Sequence, residues 1–209
     1  MHGMLKRSLI TALVAAAGTA FAAAPASAGL LVKSAHDCDE PTLSKPFARF
    51  GDQTDYFLAP GGDFENGAGD WGLSGGARTV ADNEPWNVNG DGNGAMNIPA
   101  GATVTSPTIC VGVQHPTIRI FARRTSGLPL LASLAVSVQT ETSLGITATL
   151  PVNAVLLNTG SWSPGGQMLI VANLLPLLPG DLTPIRLKFT SLLGTFRIDD
   201  VYVDPRARW

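Results

Sequence analysis

Charge is scarce in this sequence: only 14% of its 209 residues are charged, against about 25% in ordinary globular chains. The 14 Lys and Arg do not outnumber the 16 Asp and Glu, so there is no electrostatic footprint for nucleic acid or an anionic membrane surface. Histidine is nearly absent. Beyond the N-terminal leader only His36 and His115 remain, in no metal-ligand spacing, which speaks against a zinc site or His-based catalysis. Long apolar runs are missing after the first 24 residues; the run Leu169 to Leu178 contains Pro176 and is too short to span a bilayer. What is abundant is Gly (23) and Pro (15), which excludes a coiled coil or helical bundle and favours short strands joined by turns. With 45% hydrophobic residues a core is expected and disorder is not.

Lys6-Arg7, an apolar stretch from Ser8 to Ala24, and Ala26-Ser27-Ala28 before Gly29 form the three parts of a cleaved export signal. We therefore expect a signal peptide over 1–28, an irregular arm over 29–50 carrying Pro41 and Pro46, and one domain over 51–209. The processed chain would carry 12 basic and 16 acidic residues and be secreted, extracellular and free of the membrane. Nothing suggests more than a monomer. Cys38 and Cys110 are the only cysteines, and an exported pair is expected to form a disulfide. Arg outnumbers Lys ten to four, and Ala, Gly and Pro are common, a composition expected of a GC-rich bacterial genome.

Beyond the arm the apolar residues alternate. Ile118, Ile120 and Ala122 oppose Arg119, Phe121 and Arg123; Leu134, Val136 and Val138 oppose Ser133, Ser137 and Gln139; Ile185, Leu187 and Phe189 oppose Arg186, Lys188 and Thr190. Period two with polar partners marks strands with one face in a core and the other in water. Turns fall at Gly61-Gly62, Gly75-Gly76, Asn89 to Gly94, Pro99 to Gly101, Gly165-Gly166 and Pro179 to Asp181. About ten such strands predict an all-β, two-sheet antiparallel β-sandwich. Near the C-terminus the phase slips: Phe196 and Ile198 share a face, but Val201 and Val203 are displaced by one, with Asp199-Asp200 at the slip. Either a β-bulge keeps both pairs inward and aims a carboxylate, or the two valines lie outside under the arm.

Two stretches resemble a known superfamily. Gly61-Gly62-Asp63-Phe64-Glu65-Asn66-Gly67 followed by Trp71, and Phe196-Arg197-Ile198-Asp199-Asp200-Val201-Tyr202-Val203, resemble the first and last strands of galactose-binding-like jelly rolls, which include many bacterial carbohydrate-binding modules. The resemblance spans about Ala59 to Asp204. It implies a jelly roll whose first and last strands lie together, with Glu65 and Asp199 helping to bind a structural calcium and Asp63 and Asp200 assisting. Ca²⁺ takes six to eight oxygens from carboxylates and backbone carbonyls, which irregular Gly-rich backbone beside strand ends can supply. The alternative is that these acids cap turns or pair with Arg197 or Arg78.

Catalytic motifs fail on context. Gly72-Leu73-Ser74-Gly75-Gly76 matches G-x-S-x-G, but Ala77 to Val80 reads as a strand, not the helix that must follow a nucleophile, so a hairpin turn is expected. Asn89, Asp91 and Asn93 alternate as in an EF-hand, yet the twelfth position is Ala100 where a Glu is required; a hairpin loop is expected instead. Asp82, Glu84, Asp91, Glu141 and Asp181 could serve glycoside hydrolysis only if two stood at the necessary separation, which no spacing indicates. Trp71 is expected in the core. Trp86 and Trp162 lie in polar, loop-like settings and are the expected ligand-binding platforms, with packing between loop and sheet as the alternative. The resulting expectation is a non-catalytic module binding extracellular or cell-envelope carbohydrate, a polysaccharide or glycan. The other reading is an extracellular structural or protein-interaction domain without sugar affinity.

Overall fold

The computed structural model describes residues 29–35, 38, 41–112, 116–142, 144–155, 160–170 and 180–204. The export segment, His36, His115 and the last five residues lie outside the described residues. A short helix, α1 (Leu30–Ser34), and a 3-10 turn (Ala48–Phe50) belong to the arm. The strands among the described residues are β1 (Phe57–Leu58), β2 (Gly72–Ser74), β3 (Arg78–Ala81), β4 (Gly94–Ile98), β5 (Thr103–Thr105), β6 (Ile109–Gly112) and β7 (Thr117–Ser126), then β8 (Leu134–Glu141), β9 (Thr147–Val155), β10 (Ser163–Pro164), β11 (Met168–Leu169), β12 (Leu182–Ser191) and β13 (Thr195–Asp204).

They form two antiparallel sheets. A seven-stranded sheet runs β10-β7-β13-β4-β3, with β1 on β13 and β11 on β7; a six-stranded sheet runs β2-β5-β12-β8-β9, with β6 on β12. The chain changes sheets at every step except β3 to β4, β5 to β6, β8 to β9 and β10 to β11, so sequence neighbours mostly face each other across the core as in a jelly roll. Gly75-Gly76 accordingly lies at a sheet-to-sheet crossing and not in the expected hairpin: β2 pairs with β5, whereas β3 pairs with β4.

The alternating residues behave as their period dictates. Ile118, Ile120, Ala122, Leu134, Val136, Val138, Ile185, Leu187 and Phe189 all join one core between the sheets, and Trp71 is buried among them, its indole N–H donating to Pro60 O at 2.9 Å. Burial of each large side chain contributes roughly 1.5–3 kcal/mol. The opposite face of β7 departs from expectation. Phe121 is fully buried there in a second cluster with Phe47, Tyr56 and Tyr202, because the arm folds back over the seven-stranded sheet where open water was expected. Ser44 and Tyr56 exchange backbone hydrogen bonds at 2.8 Å and hold the arm in that position. Cys38 and Cys110 are bridged with Cα atoms 5.4 Å apart, closing a 72-residue separation. In the chain-entropy model such a link contributes about 4 kcal/mol.

Candidate functional site

The slip at Asp199-Asp200 is a β-bulge. The register of β13 against β7 shifts between Asp199 and Tyr202, Asp200 adopts φ 46°, and Phe196, Ile198, Val201 and Val203 all point into the core. The extra residue resolves the two readings of the phase change. It also brings the two ends of the domain together: Ala59 N–H donates to Val201 O at 2.8 Å and Val201 N–H to Gly62 O at 3.0 Å. Position 62 must be glycine, since a Cβ there would stand 2.9 Å from Ala59 O and 3.2 Å from Val201 Cβ.

Around the bulge the β3–β4 hairpin loop is stitched to carboxylates. Asp199 accepts from Asp200 N–H at 2.8 Å and Glu84 N–H at 3.1 Å. Glu84, fully buried, accepts from Trp86 N–H at 2.6 Å and Val88 N–H at 2.7 Å. Glu65 accepts from Asn93 N–H at 2.7 Å and Gly94 N–H at 3.1 Å, and Asp63 from the Asn89 amide at 3.2 Å. Asp200 is 4% exposed.

Burial, then the charge of Asp200, pushes Asp199 up to about 8, against the hydrogen bonds it accepts; Glu65 adds to the rise. Burial, then Glu84, Asp63 and Glu65, pushes Asp200 up to about 7. Glu65, Asp63, Asp199 and Asp200 are therefore within electrostatic reach of one another, and Glu84 joins them. The donor chemistry suits a hard cation: all oxygen and mostly anionic. A finished cage is not preformed, since among the described residues no three acidic, His or Cys side chains are arranged to hold a metal ion. Arg197 does not neutralise the group; it pairs with Asp82.

The same sheet face carries the arm. Phe47 stacks on Phe121 with ring centroids 5.2 Å apart and meets Tyr56 edge-on at 5.2 Å; the Arg119 guanidinium lies 4.0 Å from its centroid. Arg119 also donates to Asp52 at 2.6 Å and to Gly165 O at 2.8 Å. Tyr56 donates to Asp52 at 2.8 Å and accepts from the Gln167 amide at 2.9 Å. Burial alone would raise the Asp52 pKa, but hydrogen bonds from Thr54, Tyr56 and Arg119 outweigh it and lower the value to about 2. Burial pushes Tyr56 up to about 12. Phe50 at the end of the arm and the following residues to Thr54, with Arg119 and Gln167, line an open polar cleft of about 540 Å³.

Trp86 and Trp162 both border this aromatic cluster, partly buried. Trp86 meets Phe50 edge-on at 5.1 Å and lies 5.5 Å from Phe121, and Arg49 donates to its carbonyl at 3.1 Å. Trp162 sits just before the edge strand β10, with the Arg123 guanidinium 5.4 Å from its centroid. Arg123 and its cross-strand neighbour Arg197 both pair with the single carboxylate of Asp82. Three buried donors of this patch, Trp162 Nε1, Arg123 Nε and Arg197 Nε, have no acceptor among the described residues. The sequence pointed to Trp162. It gave no signal for Arg123, Arg197 and Asp82 as a unit, because they meet only through β7–β13 pairing and the loop after β3.

No family model and no curated protein matches this chain. Solved structures with a similar fold do exist. The CBM22-1 xylan-binding domain of Paenibacillus barcinonensis Xyn10C is 16% identical, over 69% of this chain and 92% of that one, with a TM-score of 0.49. TmCBM61, solved in complex with β-1,4-galactotriose, is 15% identical, over 71% of this chain and 98% of that one, TM-score 0.45. The arabinose-bound MgGH51 α-L-arabinofuranosidase is 14% identical over 71% of this chain, which spans 26% of that enzyme, TM-score 0.49. At these identities and TM-scores the likeness does not extend beyond fold.

Proposed function

We propose that this is an exported, non-catalytic binding module whose ligand is an extracellular or cell-envelope carbohydrate, held on the outer face of the seven-stranded sheet. One observation carries the reading: the partly exposed Trp162 ring, the Arg123 guanidinium over it, Arg197 and the Asp82 carboxylate that both arginines share are gathered on this face. A polyhydroxyl ligand matches that patch, with acceptor oxygens for the arginines, hydroxyls for Asp82 and C–H faces for Trp162. Retention on a panel of insoluble polysaccharides is the test. The intact module is expected to be retained by at least one, and Trp162→Ala to reduce retention by about tenfold or more, the scale of one lost stacking or buried hydrogen-bonding contact. Loss of neither retention nor selectivity in Trp162→Ala would refute the assignment.

The calcium component of the proposal rests on Asp200, a carboxylate only 4% exposed and crowded by Glu84, Asp63 and Glu65. Asp63, Glu65, Asp199 and Asp200 would hold the ion, which would supply positive charge and lock the first and last segments together. Purified protein is expected to unfold several degrees lower in EDTA than in millimolar CaCl₂, by mass-action linkage. Glu65→Ala is expected to abolish that difference; equal midpoints in both buffers would remove the ion from the account.

A second reading has its own observation. Leu128, Leu130 and Leu131 of the β7–β8 turn are 68, 77 and 58% exposed, and Leu192 and Leu193 of the β12–β13 turn are 52 and 57% exposed. The two turns adjoin through the Leu192 N–H to Ser133 O hydrogen bond at 2.9 Å. An apolar tip of this kind fits a protein-interaction domain, the reading favoured if no polysaccharide retains the chain.

A further inference from the structure

Glu141, at the end of β8, is 1% exposed. Its Oε2 accepts from Val32 N–H at 2.9 Å, while its Oε1 is buried with no hydrogen-bond partner among the described residues. Lys33 on α1 and Arg186 and Lys188 on β12 are the nearest cations by element, and none pairs with it; Arg186 is engaged by Thr108 and Ser34. The orphaned oxygen points at Gly29. The Glu141 carboxylate lies directly against Gly29 at the start of α1. A half-satisfied buried carboxylate without a counter-ion is strongly unfavourable.

Gly29 is also the residue that follows the Ala26-Ser27-Ala28 cleavage signature. We propose that Glu141 is a receptor for the α-ammonium of Gly29, created when a signal peptidase hydrolyses the Ala28–Gly29 bond. Water adds across the bond; Ala28 keeps the new carboxylate and departs with 1–28, and the Gly29 nitrogen takes up a proton. Before cleavage that nitrogen is an uncharged amide with one hydrogen. Afterwards it is a cation with three donors, one bond from the Cα that the carboxylate already touches. Processing thus supplies the missing counter-ion and completes the anchorage of the arm. This rests on the export part of the proposed function and is independent of the carbohydrate part.

The test compares protein secreted and processed in a bacterial host with a form that retains Ala28, each with and without Glu141→Gln. Intact mass is expected to begin at Gly29. Retaining Ala28 should lower the unfolding midpoint by on the order of 5 °C, Glu141→Gln should lower it comparably, and the combination should fall no further. The Gly29 amine, titrated by its reactivity toward an acylating reagent, should show a pKa raised above the ordinary value of about 8. With that sign, the stabilisation is complete below the unfolded amine pKa and disappears as pH rises through the folded one. A different N-terminus, an Ala28 extension without effect, additive losses, or an ordinary amine pKa would each overturn the proposal. The amine titration needs no variant and stands if Glu141→Gln fails to fold.

Discussion

Phe47→Ala should cost about 3–5 kcal/mol, the range for deleting a fully buried Phe, and lower the unfolding midpoint by on the order of 10 °C. The residue lies in the arm, outside the main core, yet it stacks on Phe121, meets Tyr56 and Tyr202 edge-on and roofs the Arg119 guanidinium. Removing the ring leaves a gap among aromatic faces that a rigid sheet cannot close. The arm should then open locally, while the Cys38–Cys110 bridge keeps its far end tethered. Trypsin should cut the variant after exposed Arg49 much faster than the parent. Leu43→Ala, removing a side chain that is 48% exposed, should change neither midpoint nor cleavage.

Asp52→Ala is the second large effect, about 3 kcal/mol, near the lower end for breaking a buried ion pair because the Arg119 and Asp52 side chains keep 10 and 15% of their exposure. The loss comes from stranding Arg119 under Phe47 and leaving Tyr56 without its acceptor. It has a pH signature. Because the folded Asp52 pKa is depressed from 3.8 to about 2, its stabilisation is fully present above about pH 4–5 and is lost as pH falls through about 2. Urea unfolding at pH 6 and pH 2.5 should therefore show a smaller difference between parent and Asp52→Ala at the lower pH. A difference that does not shrink would mean that Asp52 acts by packing alone.

The sandwich was legible because its signal is local. Ile118-x-Ile120-x-Ala122 and Ile185-x-Leu187-x-Phe189 declare their inward faces by period two alone, whereas the slip at Asp199-Asp200 left a bulge and outward-facing valines equally open, and it is the bulge that returns Val201 and Val203 to the core. The convergence of Asp63, Glu65, Asp199 and Asp200 was legible only through resemblance of the two end segments. Glu84 was legible as an acidic residue but not as their neighbour, since its place depends on how the loop from Asp82 to Asn93 folds back. The arm was opaque. Phe47 and Phe50 sit in an aperiodic, proline-containing stretch, so nothing local shows that they cover Phe121, and the outer face of β7 reads as solvent-exposed until that distant contact is known. The Asp52–Arg119 pair and the two arginines on Asp82 are hidden for the same reason.

The most direct measurement is a nitrogen–proton NMR titration of the isotope-labelled module with a soluble oligosaccharide of a retained glycan. The account predicts that the Trp162 indole N–H and the Nε–H signals of Arg123 and Arg197 move together, while the Trp71 indole, buried and bonded to Pro60 O, stays in place. Perturbations confined to the six-stranded sheet, with the Trp162 signal unmoved at saturation, would contradict it.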